Sequence, residues 1–146
     1  PAVMKEYYKN PEATARVLRD GWLYTGDLAR VDEEGYQYLI VRRTDLIISG
    51  GENIYPAEVE RVLLLHPGVK EAAAIGVKDK EWGERVTAVV VPKERQKLTE
   101  EEILSFCKER MAGFKRPRSV VFIDELPKNQ LGKVLYKELR NRFDPP

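Results

Sequence analysis

After Asp45 the hydrophobic period of this chain switches repeatedly between strand-like and helical, and that alternation limits the folds open to it. Leu46–Ile48 is a brief β-prone run that ends in two glycines. The next segment carries Val59, Val62 and Leu63 at helical spacing, with Pro56 in the first turn, where its missing N–H costs nothing. His66-Pro67-Gly68 closes that helix. Val69–Val77 and Arg85–Val91 read as strands separated by a polar Lys78–Glu84 loop. Thr99-Glu100-Glu101-Glu102 has the spacing of a capping box and opens a helix whose apolar stripe is Ile103, Leu104, Cys107 and Met111. Ser119–Ile123 predicts another strand and Leu135–Arg142 a terminal helix. Elements alternating over about a hundred residues can enclose their own core. The expected fold is therefore α+β, a small mixed sheet with flanking helices.

The first 43 residues read differently. Pro11-Glu12-Ala13-Thr14 looks like a helix start, and Leu28–Val31 and Tyr36–Val41 form a hairpin about Asp32-Glu33-Glu34-Gly35. Two strands and one short helix bury little alone, so this region is expected to dock on something else. Its open strand edges could also drive self-association.

Composition narrows the class. Charged residues make up 34% and apolar residues 42%, as in soluble globular proteins, with no apolar run of membrane-spanning length. The single Cys107 rules out a disulfide framework and fits a reducing, cytoplasmic setting. The start, Pro1-Ala2-Val3-Met4-Lys5, has no signal-peptide pattern, and a leading proline suggests a piece of a longer chain. A net charge of +1 conceals a basic surplus from Lys108 onward, balanced by an acidic surplus before it. A basic end suits a polyanionic ligand, although a solvated helix face explains it as well. Lys115-Arg116-Pro117-Arg118 is too short, and too isolated from any nucleic-acid motif, to indicate DNA or RNA.

Three runs hold residues suited to chemistry. In Tyr24-Thr25-Gly26-Asp27-Leu28 and the strand that follows, pairing Val31 with Tyr36 sets Asp27 opposite Ile40. Arg42 is then its diagonal neighbour, ~7–8 Å away on the same face. A carboxylate beside a guanidinium suits a ribose and a phosphate; on geometry alone, an ordinary hairpin ion pair is the plainer reading. In Pro127-Lys128-Asn129-Gln130-Leu131-Gly132-Lys133, the Gly-Lys pair is not a phosphate loop, since Pro127 stands where glycine is needed and Val134 where Ser or Thr is. What remains is Lys133 on a mobile, glycine-containing loop before a helix. The third run, Arg42-Arg43-Thr44-Asp45-Leu46-Ile47-Ile48-Ser49-Gly50-Gly51-Glu52-Asn53-Ile54-Tyr55-Pro56-Ala57-Glu58, holds two glycines that permit positive φ and close backbone approach.

In this order the three runs resemble the C-terminal end of the adenylate-forming acyl-CoA synthetases, a superfamily that includes luciferases and peptide-synthetase adenylation domains. The resemblance runs nearly end to end. It implies a carboxylic acid activated with ATP (with Mg2+, whose ligands lie elsewhere) and an acyl group passed to CoA. It also implies that residues 1–43 are the tail of a large N-terminal domain, Thr44 a hinge, and residues 45–146 a mobile C-terminal lid. By the same resemblance, Asp27 holds the ribose diol and Arg42 contacts ribose and phosphate. Lys133 neutralises charge between substrate carboxylate and α-phosphate in the first half-reaction. Gly50 and Gly51 line the pantetheine tunnel, Trp82 lies near the pantetheine, and Phe114 and Arg116 sandwich the CoA adenine. The Ser-Gly-Gly-Glu-Asn-Ile-Tyr-Pro-Ala-Glu run is most like fatty-acid and aryl-acid ligases, and a long-chain fatty acid is the substrate expected.

Two departures stand out. Thr44 replaces the more usual Asp or Lys and is stiffer at χ1, and Tyr136 occupies a position where Arg is common. The phosphate-cradling loop and the acyl pocket are both missing, so the chain alone is expected to be inert. Two other functions stay open: an enzyme loading a carrier protein, which needs the glycines but no adenine clamp, and a non-catalytic binding module docking through the basic end.

Overall fold

The computed structural model describes residues 3–144. The chain separates into two compact units, Pro1–Thr44 and Asp45–Pro146.

The first unit is built from local signals. Asn10 caps α1 (Pro11–Val17), its side chain accepting from the Ala13 N–H at 3.0 Å. β1 (Leu18–Arg19) and β2 (Trp22–Leu23) form a minimal antiparallel pair. β3 (Asp27–Val31) and β4 (Gln37–Arg42) form the expected hairpin, with two corrections to its register. Val31 pairs with Gln37, not Tyr36, because the Asp32 N–H donates to the Tyr36 carbonyl and closes the turn one residue later. A bulge between Leu28 and Ala29 then leaves Ile40 unpaired and sets Asp27 directly opposite Arg42. Each correction moves the register by one residue, so the two together keep both side chains on one face.

The second unit is a mixed five-stranded sheet covered on both faces. A 3-10 turn (Arg43–Asp45) leads into β5 (Ile47–Ser49), which pairs with β6 (Glu52–Ile54). The β6 strand was not expected: Gly50 and Gly51, at φ +58° and +83°, are the two-residue loop of a hairpin. α2 (Pro56–Leu63) follows with Val59 and Leu63 fully buried and Val62 partly so. β7 (Val69–Asp79) and β8 (Gly83–Pro92) are longer than their apolar runs, which shortens the expected Lys78–Glu84 loop to a tight turn at residues 80–82. α3 (Glu100–Lys108) starts where Thr99 Oγ1 accepts from the Glu102 N–H at 3.2 Å. The reciprocal half of the capping box is replaced, since Glu102 turns to the buried His66 at 3.5 Å. β9 (Ser119–Phe122) adds to β8 in parallel, and α4 (Tyr136–Phe143) closes the chain.

Alternation along the strands divides the core. Ala74, Val86, Ala88 and Val90 face α2 and α3 through Val59, Leu63, Ile103 and Cys107. Ala73, Ile75, Val77, Val89 and Val91 face Ile123, Leu126 and Leu139. Covering both faces is why these strands read as continuous apolar runs. Each fully buried aliphatic side chain contributes roughly 1.5–3 kcal/mol. Inside this core, the Thr87 hydroxyl and the Ser119 hydroxyl satisfy one another at 2.9 Å.

Candidate functional site

In the first unit, Arg42 Nε stands 3.6 Å from Asp27 Oδ1, with the arginine side chain 72% exposed and the aspartate 27%. That separation exceeds hydrogen-bonding distance, so carboxylate acceptors and guanidinium donors both remain available to a ligand. The direct register makes this a tighter pair than the diagonal one expected. A carboxylate with a neighbouring cation fits a ribose phosphate. The geometry alone fits a surface ion pair contributing ~0–1 kcal/mol equally well.

Lys133 stands in a hydrogen-bonded turn. The Asn129 side chain accepts from the Leu131 and Lys133 N–H groups, each at 3.0 Å. The Asn129 N–H donates to the Lys133 carbonyl at 2.9 Å, and Gly132 takes the left-handed conformation at φ +77°. This three-residue loop with a terminal glycine is a common hairpin closure, and it fixes where the lysine leaves the backbone. The side chain is exposed and has no ion-pair partner among the described residues. An exposed, unneutralised cation on a hydrogen-bonded turn suits charge stabilisation.

Gly50 and Trp82 are brought together. The Gly50 N–H donates to the Trp82 carbonyl at 2.9 Å, and a Cβ on Gly50 would lie 2.8 Å from the indole. The Arg118 guanidinium stacks on the same indole at 4.2 Å. Asp79 secures the corner, accepting from the Glu81 and Trp82 N–H groups at 3.0 Å each. Those bonds, with the charges of Arg85 and Arg118 behind them, hold its carboxyl below the usual range. Asp79 and Arg118 were not foreseen as partners of Trp82. The polar Lys78–Glu84 loop was legible, but the stacking depends on the β8–β9 pairing that brings Arg118 across.

Phe114 lies on a 3-10 turn (Gly113–Lys115) with its ring 45% exposed. Lys115 is drawn to Glu58, and Arg116 Nε donates to the Met111 carbonyl at 2.9 Å. The cation over the Phe114 ring is Lys115, 5.5 Å from its centroid, and not Arg116; an exposed ring with a cation beside it fits an aromatic base. No hydrogen bond or ion pair among the described residues links the Lys133 turn to this segment or to the Gly50–Trp82 corner.

A half-buried polar cluster escaped the sequence reading. Glu60 Oε1 accepts from the Ala74 N–H at 2.9 Å and from the Tyr136 hydroxyl at 2.8 Å. Burial pushes the Glu60 carboxyl up, and burial beside Glu60 pushes the Tyr136 phenol up. The available signal was Glu60 itself, a charge one turn from Pro56 on the buried side of α2. Tyr136, where an arginine contact was in doubt, has a partner of its own.

A sheet covered by helices on both faces, with an aromatic–cationic corner and a lysine-bearing turn, defines a small α+β domain. The chain belongs to the AMP-binding enzyme C-terminal domain family, whose model matches residues 58–133. It is 53% identical over 98% of its length to a feruloyl-CoA synthase of an Amycolatopsis species, of which it spans 29%. ATP-bound MatB from Rhodopseudomonas palustris matches with a TM-score of 0.86 and 42% identity, covering 97% of this chain and 28% of that one. The o-succinylbenzoate CoA synthetase MenE of Bacillus subtilis, in complex with its acyl-adenylate intermediate, matches at 0.83 and 46% identity, covering 94% and 28%. None of these names a long-chain fatty acid. Among the described residues no helix is long and apolar enough to cross a membrane.

Proposed function

We propose that this chain is the C-terminal part of a carboxylic acid:CoA ligase, converting acid, ATP and CoA to acyl-CoA, AMP and pyrophosphate through an acyl-adenylate. The single observation that carries this reading is the match to a feruloyl-CoA synthase over 98% of the chain at 53% identity. That match takes in Asp27, Arg42, Gly50 and Gly51, which lie outside residues 58–133 of the family model.

In this reading residues 1–43 end a large N-terminal domain, Thr44 is the hinge, and 45–146 form the lid. Asp27 and Arg42 bind the ribose and phosphate of ATP. Lys133 serves adenylation, where a preorganised cation beside the reacting phosphorus lowers the barrier by ~2.7–4 kcal/mol. Gly50, Gly51, Trp82, Phe114 and Arg116 serve thioester formation. Mg2+ accompanies ATP through ligands outside this chain. The acid is sought first among aryl acids, following the feruloyl and succinylbenzoyl relatives, and then among long-chain fatty acids.

The test is carboxylate-dependent AMP release by the full-length protein across such a panel, with and without CoA. The expected result is a CoA-dependent thioester product, lost in Lys133→Ala. Adenylate that accumulates and transfers only to a carrier-protein thiol would replace CoA with a carrier protein as the acceptor. Inactivity on every acid would favour a binding module.

A further inference from the structure

Asp45 is the first residue of the second unit, and it is held from 95 positions away. Arg140 Nη2 donates to Asp45 Oδ1 at 2.8 Å, with the two side chains only 27% and 19% exposed. A charge-assisted bond of that length in a half-buried place is among the stronger polar contacts a protein makes. The helix that supplies it is itself fixed. Leu139, beside Arg140, is fully buried, and Tyr136, one turn earlier on the same face of α4, is bonded to Glu60 of α2. Glu60 lies near enough to Asp45 for the two negative charges to oppose one another. Arg140 relieves that opposition by sitting on Asp45. Two residues later Ile47 enters the core at 1% exposure. Thr44, by contrast, is exposed, and its side chain makes no hydrogen bond among the described residues.

We infer that the Asp45–Arg140 pair is an anchor that confines the pivot to Thr44, making Arg140 a positioning residue for the passage between adenylation and thioester formation. The inference rests on the reading of Thr44 as the hinge. A pivot works best when the backbone on one side is free and on the other is fixed, since a soft flank spreads the rotation over several residues and blurs both end positions. The anchor supplies that boundary within one residue. Because a misplacement of about 1 Å at a reacting centre costs on the order of 100-fold in rate, a blurred pivot is felt at chemistry that the anchor never touches.

The test uses the two half-reactions of the full-length ligase, ATP–pyrophosphate exchange for adenylation and thioester formation from supplied acyl-adenylate for transfer. Thr44→Pro is expected to keep adenylation and lower transfer on the order of 100-fold. Adding Arg140→Gln, or separately Asp45→Asn, frees the neighbouring backbone to rotate instead and is expected to restore transfer roughly 10-fold. Arg140→Lys, which keeps the charge without the fork, should restore less. If neither double variant exceeds Thr44→Pro while both remain folded by circular dichroism, the anchor is overturned and the hinge stands. If Thr44→Pro lowers both half-reactions equally, or neither, the hinge reading fails and the inference fails with it.

Discussion

The chain contains two long hairpins of the same topology and opposite circumstances. β3–β4 has no buried residue on either strand, whereas β7–β8 has apolar side chains buried on both faces. The exposed hairpin is organised by its turn. Asp32 Oδ1 accepts from the Glu34 and Tyr36 N–H groups at 3.1 and 2.9 Å, and Oδ2 accepts from the Tyr38 hydroxyl at 2.8 Å. The buried one is organised by what packs on it, α2 and α3 on one face and Leu139 of the distant α4 on the other. Turn chemistry can therefore set a register without supplying a core. The hairpin that bears Asp27 and Arg42 gets its shape locally, while the corner that bears Gly50 and Trp82 depends on the folded sheet.

The largest way to break that contrast is Leu139→Ala, which empties a fully buried site on the α4 face. It should cost about 2–5 kcal/mol, read as a lower urea midpoint for the second unit with amide exchange in β3–β4 unchanged. Gly50→Ala comes next. It forces a residue with a Cβ into φ +58° and against the indole at 2.8 Å, at a cost of about 1–3 kcal/mol. Trp82 fluorescence should shift, while a substitution at Gly35, which has open space around it, should leave the fluorescence alone.

Glu60→Gln is a subtler probe. Burial raises the folded-state pKa of Glu60 above its ordinary value, so the native state binds the proton more tightly than the unfolded chain. Stability then falls as pH rises from the ordinary glutamate range through the folded value. Glutamine keeps an acceptor for Ala74 and Tyr136 and cannot ionise. Urea titrations from pH 4 to 8, values chosen to span about the ordinary carboxylate and neutral ranges, should show that part of the slope disappear. Asp32→Ala should give the smallest global change: faster exchange at the Glu34 and Tyr36 amides, and no change in β7–β8.

Much of this was legible in the residues. Val59, Leu63, Ile103 and Cys107 announce buried helix faces by spacing alone, and all are fully buried. The misses have two causes: local turn and bulge signals that admit more than one reading, and contacts between segments distant in sequence. β6 was missed because Ser49-Gly50-Gly51-Glu52 reads equally as a strand-to-helix turn until Ile54 is seen paired with Ile47. The Ile40 bulge leaves no mark in an alternating run. The turn under Lys133 was not foreseen, although Asn129 four residues earlier was its turn-forming signal. The Arg140–Asp45 and Tyr136–Glu60 contacts join residues whose roles no local pattern discloses.

The central claim is a division of labour, with Lys133 for adenylation and the Gly50–Trp82 corner for acyl transfer. The most direct measurement is each half-reaction separately in full-length Lys133→Ala and Trp82→Ala. The account predicts opposite profiles: Lys133→Ala loses ATP–pyrophosphate exchange by roughly 100- to 1,000-fold and still transfers supplied acyl-adenylate to CoA, and Trp82→Ala does the reverse. Parallel losses in both half-reactions for both variants would contradict it.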